Sequence, residues 1–466
     1  MNDNISIVSG GGGLENLVPR AVWLPRTGGG KSTWGRTSRD SFRVRSVLSV
    51  LLLLTVSSFG RVHAEAPPTV PAPGVLPIIC FPGPPAQDNI IGHWQRIKDA
   101  HFTLVLASHR YSDADQQKML EHCSQLGLKA VVNVKKLAPP SSAETPPPGW
   151  REEVNRATAL FGNHPAVFGY MIRDEPGAEL FPQLGRVADA FREDAPNHPV
   201  CVNLFPTHAT TTQLGAPDYV EYLERFMETV RPPFLSYDHY PLLVDGTDRP
   251  DFFLNLELAR AASLKYDKPL WTIVQSSWWQ FFRTPSAGEL RWQVYGALAY
   301  GVRGFGYFTY WPARDDYEAV VDYQGNETPL YGQISAVNSE ALALGSTLLQ
   351  LKSTAVFHTG EEIPQGCKRL PAAAALQLPA HEPLIAGFFE HAQGDTYAMV
   401  VNRNYGDSVS VEASLSAGIV SVSMVNKRSG RPEPVKMTDH RVSLELPAGG
   451  GVLLRLARSS DNVSSD

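Results

Sequence analysis

The stretch Gly169-Tyr170-Met171-Ile172-Arg173-Asp174-Glu175-Pro176 is a short apolar run that ends abruptly in two carboxylates and a proline. An apolar run of that length, bounded by charge and by a residue that cannot continue a ladder, reads as a buried β-strand. Seven further runs share its texture: Leu76–Phe81, Phe102–Ala107, Ala130–Val134, Val200–Leu204, Phe234–Tyr237, Leu270–Gln275 and Gly304–Thr309. With Val167–Ile172 they make eight strand candidates. Amphipathic stretches separate them, among them Ser112 to Gly127, Glu179 to Glu193, Tyr219 to Val230, Phe252 to Lys265 and Gly288 to Tyr300. Eight strands in about 235 residues, nearly all followed by a helix, match a (β/α)8 TIM barrel of the α/β class. A doubly wound open sheet is the competing fold, and it calls for a glycine-rich phosphate turn after its first strand. Here that strand ends in Phe81-Pro82-Gly83-Pro84-Pro85, which has too many prolines to cradle a pyrophosphate.

Outward from the barrel the texture changes twice. From Leu351 the runs Leu384–Glu390, Thr396–Val401, Ser408–Leu415, Val420–Val425 and Gly451–Leu456 are β-rich and separated by Gly, Asn and Asp turns. They predict a C-terminal antiparallel β-sandwich. Toward the N-terminus, Arg43 and Arg45 precede the apolar run Val47 to Val56 and the small-residue site Val62-His63-Ala64, the pattern of a secretory signal. That run is short for a membrane span. The expected organisation is a leader and signal peptide over 1–64, a Pro-rich linker over 65–75, the barrel over 76–350, the sandwich over 351–458 and a disordered tail over 459–466. The expected location is periplasmic or extracellular, after cleavage near Ala64, with no stable membrane span in the mature chain.

Composition narrows the chemistry. Of 466 residues, 43% are apolar and 19% charged, which suits a packed globular protein. A formal net charge of -6 argues against a nucleic-acid partner, whose phosphates need clustered Lys and Arg. Gly28-Gly29-Gly30-Lys31-Ser32 lacks the earlier glycine of a phosphate loop, since Pro25 stands there, and no strand precedes it. The four cysteines, Cys80, Cys123, Cys201 and Cys367, read as buried free thiols, with one disulfide as the alternative. No C-x-x-C pair and no His-Glu-x-x-His motif occurs, so neither a metal nor a cofactor is expected.

Catalytic groups of such barrels stand at the C-terminal ends of the strands. There the sequence places Arg173-Asp174-Glu175, Asn203, Tyr237-Asp238-His239-Tyr240, Gln275 with Trp278 and Trp279, and Tyr310-Trp311. Glycoside hydrolysis needs two carboxyl groups astride the scissile bond. Glu175 and Asp238 are the best-placed pair, with Asp174 a third. Arg173, Asn203, Tyr237, His239, Tyr240, Gln275, Trp278, Tyr310 and Trp311 are the candidate carbohydrate-binding residues, the aromatics offering flat faces to sugar rings. The bland alternatives are an Arg173–Glu175 surface pair, a loop-capping Asp238 and tryptophans that only pack.

The strand-four segment, Gly169 to Pro176, resembles that of the large barrel clan of retaining glycoside hydrolases that includes cellulases and β-galactosidases. Trp292 to Gly304, running into Tyr307-Phe308-Thr309-Tyr310-Trp311, resembles the helix-to-strand-eight region of the β-galactosidase-like branch. The resemblance covers roughly residues 75–350 and implies a glycosidase with Glu175 as acid/base. It also implies a nucleophilic Glu at the end of strand seven, where this chain has Gln275-Ser276, and an Asn where it has Asp174. Three readings therefore stand open. Asp238 supplies the second carboxylate; or the adjacent Asp174-Glu175 works as in the N-acetylhexosaminidases, with the substrate's acetamido group as nucleophile; or the barrel binds carbohydrate without cutting it. A metal-dependent hydrolase is disfavoured, because strand one ends in Cys80-Phe81-Pro82-Gly83 rather than His-x-His.

Overall fold

The computed structural model describes residues 74–134, 137 and 146–458. The leader and signal expected over 1–64, most of the linker and the tail over 459–466 lie outside the described residues. Eight parallel strands form the first sheet: β1 Ile78–Phe81, β2 Leu104–Leu106, β3 Lys129–Asn133, β4 Val167–Asp174, β5 Val200–Asn203, β6 Leu235–His239, β7 Leu270–Gln275 and β8 Val302–Phe308. Their order, β5-β4-β3-β2-β1-β8-β7-β6, is that of a barrel cut between β5 and β6. The cut is nearly closed. Leu204, just past β5, bridges Tyr237 of β6, and its N–H donates to the Ser236 carbonyl at 2.9 Å. The expected (β/α)8 barrel is therefore present.

Alternation along the strands makes two cores from one sheet. Ile79, Leu104, Phe168, Cys201, Phe234 and Trp271 fill the barrel interior. Ile78, Cys80, Tyr170, Val202, Leu235 and Tyr237 point outward into the core under the helices. Burial on both faces is why these strands read as nearly continuous apolar runs. The helices are α1 Ile91–Asp99, α2 Asp113–Leu126, α3 Trp150–Phe161, α4 Phe181–Asp194, α5 Thr211–Leu214, α6 Tyr219–Val230, α7 Phe252–Lys265, α8 Ala287–Ala299 and α9 Pro329–Leu348. Their ends follow local chemistry. Ser112 and Asp115 form a reciprocal capping box at the start of α2, and Gly127 ends it in the left-handed region.

β4 carries an irregularity that sets up the site. Met171 pairs with Cys201, yet Arg173 pairs with Val202 and Asp174 with Asn203, so one residue is inserted on β4. A bulge of this kind re-aims the side chains after it. It puts Asp174 on the inward face with Asn203 and gives Arg173 the register of the outward Val202.

The C-terminal part is the expected antiparallel sandwich. A six-stranded sheet, β15-β14-β17-β12-β11-β9, faces a three-stranded one, β10-β13-β16. Their strands are β9 Leu351–His358, β10 Leu376–Gln377, β11 Leu384–His391, β12 Thr396–Asn402, β13 Val409–Leu415, β14 Ile419–Val425, β15 Pro432–Pro434, β16 Arg441–Leu446 and β17 Gly451–Arg458. On β16 only Val442, Leu444 and Leu446 are buried, the alternation of a strand with one wet face. β11 is different. Ala386 and Phe388 enter the sandwich core, whereas Ile385 and Phe389 join the barrel's outer core. All four cysteines are free thiols, three of them buried. Among the described residues no helix is long and apolar enough to cross a membrane.

Candidate active site

The bulge in β4, the end of β5 and the end of β6 bring the carboxyls of Asp174 and Asp238 onto the amide of Asn203. Asn203 Nδ2 donates to Asp238 Oδ1 at 2.8 Å and to Asp174 Oδ1 at 3.3 Å. Its own carbonyl accepts from Ser236 Oγ at 3.0 Å, which fixes the amide's orientation. Asp238 is only 6% exposed and also accepts from the Tyr240 hydroxyl. Glu175 follows directly, with φ at +42°, a left-handed backbone that costs a non-glycine residue about 1 kcal/mol or more. That peptide is held on both sides. The Glu175 N–H donates to the Asn203 carbonyl at 2.8 Å, and the Tyr222 hydroxyl donates to the Pro176 carbonyl at 2.7 Å. An unusual backbone held this firmly at a strand end is characteristic of functional sites.

Burial pushes all three carboxyls toward the protonated form, and like charge adds to it at Glu175 and Asp238. Asp238 is pushed up to about 7, by burial first and then by Asp174, against the hydrogen bonds from Tyr240 and Asn203. Glu175 is raised well above the usual carboxylate range by burial, then by Asp238, then by Asp174. Asp174 is raised by the protein around it and drawn back by Asn203 and Arg173. Its side chain is solvent-exposed, so water screens it and its upward push is the smallest of the three. The trio thus offers a protonated acid beside a carboxyl that ionises near neutrality.

An aromatic wall flanks the carboxyls. Tyr240 stacks on Phe308 with ring centroids 5.4 Å apart, and Trp279 meets the same Phe308 ring edge-on at 4.9 Å. Phe81 lies 5.4 Å from Phe308 on the other side, and Phe282 lies 4.3 Å from Trp279. Trp278 is half-buried against Tyr317, and Phe281 at the rim is 59% exposed. Phe81, Phe282 and Phe308 are not among the residues expected from sequence. Phe81 and Phe308 end strands whose other residues are core, so only their position at the mouth distinguishes them.

The remaining expected residues fall elsewhere. Tyr237, Tyr310 and Trp311 are buried in the outer core; Tyr310 packs edge-on to Phe102, and Trp311 packs edge-on to His93. Gln275, fully buried at the end of β7, has its amide engaged by backbone. Its Oε1 accepts from Leu242 N at 2.9 Å, and its Nε2 donates to the carbonyls of Leu242 and Arg283 at 3.0 and 2.6 Å. Arg173 takes the outward register described above. His239 faces outward too, packed edge-on against Phe252 and His208. With His208 and Asp251 it forms a group whose ligand atoms all lie within 4.8 Å of one another. These residues come from three separate segments, so no sequence spacing announces them.

No protein-family model and no curated protein matches the sequence. Solved structures do resemble it. A glycoside hydrolase family 5 protein from Bacteroides vulgatus ATCC 8482 aligns over 83% of this chain and 90% of its own, at 12% identity and a TM-score of 0.54. A second structure, described as a glycoside hydrolase, aligns over 83% and 93%, at 11% identity and a TM-score of 0.54. A β-galactosidase from the psychrophilic Marinomonas ef1 gives 13% identity and a TM-score of 0.48, and this chain spans 62% of its length. The first two establish the shared fold: a glycoside-hydrolase-like barrel carrying additional β-structure.

Proposed function

We propose that this protein is a glycoside hydrolase in which Glu175 is the general acid and Asp238 the second carboxyl. The observation that carries the reading is the convergence of Glu175, Asp238 and Asp174 at the mouth of the barrel, with Glu175 pressed toward its protonated form. A proton on Glu175 at neutral pH is what a glycosidic oxygen needs as its bond to the sugar carbon breaks. Asp238, held by Tyr240 and Asn203, supplies the negative charge that answers the oxocarbenium-like transition state. Asp174, open to solvent beside them, is placed to accept from a sugar hydroxyl. The wall of Tyr240, Trp279, Phe282 and Phe308 gives the apolar faces of a sugar ring a surface to lie on. We also propose export, on the strength of the Arg43 to Ala64 signal pattern.

The test is hydrolysis of a panel of aryl glycosides and oligosaccharides, with and without N-acetyl groups, by wild type, Glu175→Gln and Asp238→Asn. Removal of a general acid is expected to cost about 10²–10⁴-fold in rate. Full activity of Glu175→Gln on a cleaved substrate would refute the assignment. An Asp238→Asn variant that keeps its rate on N-acetylated substrates alone would move the second role to the substrate. The fully engaged Gln275 amide, which leaves no carboxylate at the end of β7, favours a second reading: a barrel that binds glycans only. Saturable glycan binding by wild type with no turnover across the panel would select it.

A further inference from the structure

Behind the carboxyls, a second constellation joins three segments distant in sequence. His239 ends β6 and is 1% exposed, Asp251 stands immediately before α7, and Thr207 and His208 lie in the loop that follows β5. His239 Nε2 lies 3.2 Å from Asp251 Oδ1, and His208 Nδ1 lies 3.5 Å from Asp251 Oδ2. Thr207 Oγ1 donates to Asp251 Oδ2 at 2.5 Å.

Two features set this group apart from an ordinary buried ion pair. First, both ring nitrogens of His239 are buried, and neither makes a hydrogen bond. The Nε2 contact with Asp251, at 3.2 Å, has the length of a hydrogen bond but does not meet its alignment. Buried polar atoms in folded proteins are almost always satisfied, so an imidazole with neither nitrogen bonded asks for a further partner. Second, the spacing suits a shared ion. One ligand atom from each of the three side chains lies within 4.8 Å of the other two, close enough for ligands at 2.0–2.1 Å, which stand about 3.3–3.4 Å apart on a tetrahedral ion, to close on one centre by small side-chain shifts.

We propose that His208, His239 and Asp251 bind a divalent cation of the zinc class, through two imidazole nitrogens and one carboxylate oxygen, with the Thr207 hydroxyl or a water completing the set. Two imidazoles and a carboxylate are a recognised donor set for such an ion. The bound cation staples the loop after β5 to the loop after β6, directly behind Asn203 and Asp238. It is thus a structural site, independent of whether the barrel cuts glycans. The Arg249 guanidinium acts electrostatically on both Asp251 and His239, which opposes the cation and makes the site weaker than one with four charged or imidazole ligands.

The experiment uses the full chain stripped with a chelator, titrated with zinc chloride by calorimetry and followed in parallel by thermal denaturation. Wild type is expected to take up one equivalent and to melt at a higher temperature with zinc than without. His208→Ala removes a ligand at an exposed position, where substitution alone changes stability little. It should keep the metal-free melting temperature and lose both the equivalent and the zinc-dependent rise. Asp251→Asn should lose them as well. An unchanged equivalent in folded His208→Ala would place the ion elsewhere, on Cys367 for instance, and overturn the proposal. Absence of heat and of any melting shift in wild type at millimolar zinc would overturn it equally.

Discussion

Asp238 is held in the folded protein near the middle of the pH scale, well above the value of about 3.9 that an aspartate has in an unfolded chain. That difference ties stability to pH with a definite sign. Below about pH 4 the carboxyl is protonated in both states and costs nothing. Between there and about pH 7 the unfolded chain gives up its proton while the folded chain keeps it, so stability drains away as pH rises. Above about 7 the full penalty of a buried charge beside Asp174 and Glu175 is in place. Asp238→Asn removes the charge while preserving the shape and the acceptor toward Asn203 Nδ2. Its melting temperature relative to wild type is expected to climb steadily from pH 4 to pH 8. A gap that stays constant across that window, measured in one buffer series, would mean that Asp238 is not the strained group described here. Under the proposed function this is stability given up for chemistry, a trade common at catalytic sites.

At the scale of the element, β4 and β11 show what sequence patterning reveals and what it conceals. The existence of β4 was legible from its apolar run, and the acidic pair at its end from Asp174-Glu175-Pro176. The bulge was not legible. Strict alternation from the inward Met171 puts Arg173 inside and Asp174 outside, and only the pairing with Cys201, Val202 and Asn203 reverses them. The aromatic wall was half legible. Tyr240 and Trp279 stand in loops, where an aromatic is conspicuous, whereas Phe81 and Phe308 hide at the ends of core strands. Tyr237, Tyr310 and Trp311 erred the other way, since a strand-end position in sequence does not say which side of the wall a ring takes.

On β11, Gly387 passes so close to α8 that a β-carbon would stand 2.1 Å from the Ala299 carbonyl oxygen. Gly387→Ala should therefore cost about 1–3 kcal/mol by forcing the sheet off the helix. Gly296, within α8 itself, has no neighbour closer than 3.5 Å to an added β-carbon. Gly296→Ala should instead stabilise, by up to about 1 kcal/mol through helix propensity. Denaturant titration of the two variants checks the contrast, and equal effects would show that the β11–α8 contact is looser than described.

For the whole molecule, the question is whether the sandwich is an appendage or part of the barrel's foundation. The core answers first. Ile385, Phe389, Met399, Val401 and Leu453 of the six-stranded sheet share one continuous apolar cluster with Trp292, Tyr295 and Tyr300 of the α8 region. Polar bonds reinforce the seam: Arg260 Nε donates to Ser353 Oγ at 2.8 Å, and the Tyr300 hydroxyl lies 2.8 Å from His358 Nε2, all buried. A third link runs to the candidate site. The Tyr405 hydroxyl donates to Asp248 at 2.6 Å, Asp248 pairs with Arg283 at 3.2 Å, and the Arg283 carbonyl accepts from Gln275 at 2.6 Å. Removing residues 351–458 would strip the apolar cover from α8 and leave Arg260 and Tyr300 without those partners. Unmet buried groups and newly exposed apolar surface of this kind destabilise a domain beyond its few kcal/mol of margin. The full chain is therefore expected to melt in one calorimetric transition. A chain ending at residue 350 should aggregate or fail to give a cooperative transition at all. Two resolved transitions, or a soluble truncated barrel with native near-UV dichroism, would show instead that the barrel stands alone and that the Tyr405–Asp248–Arg283 chain does not support the rim.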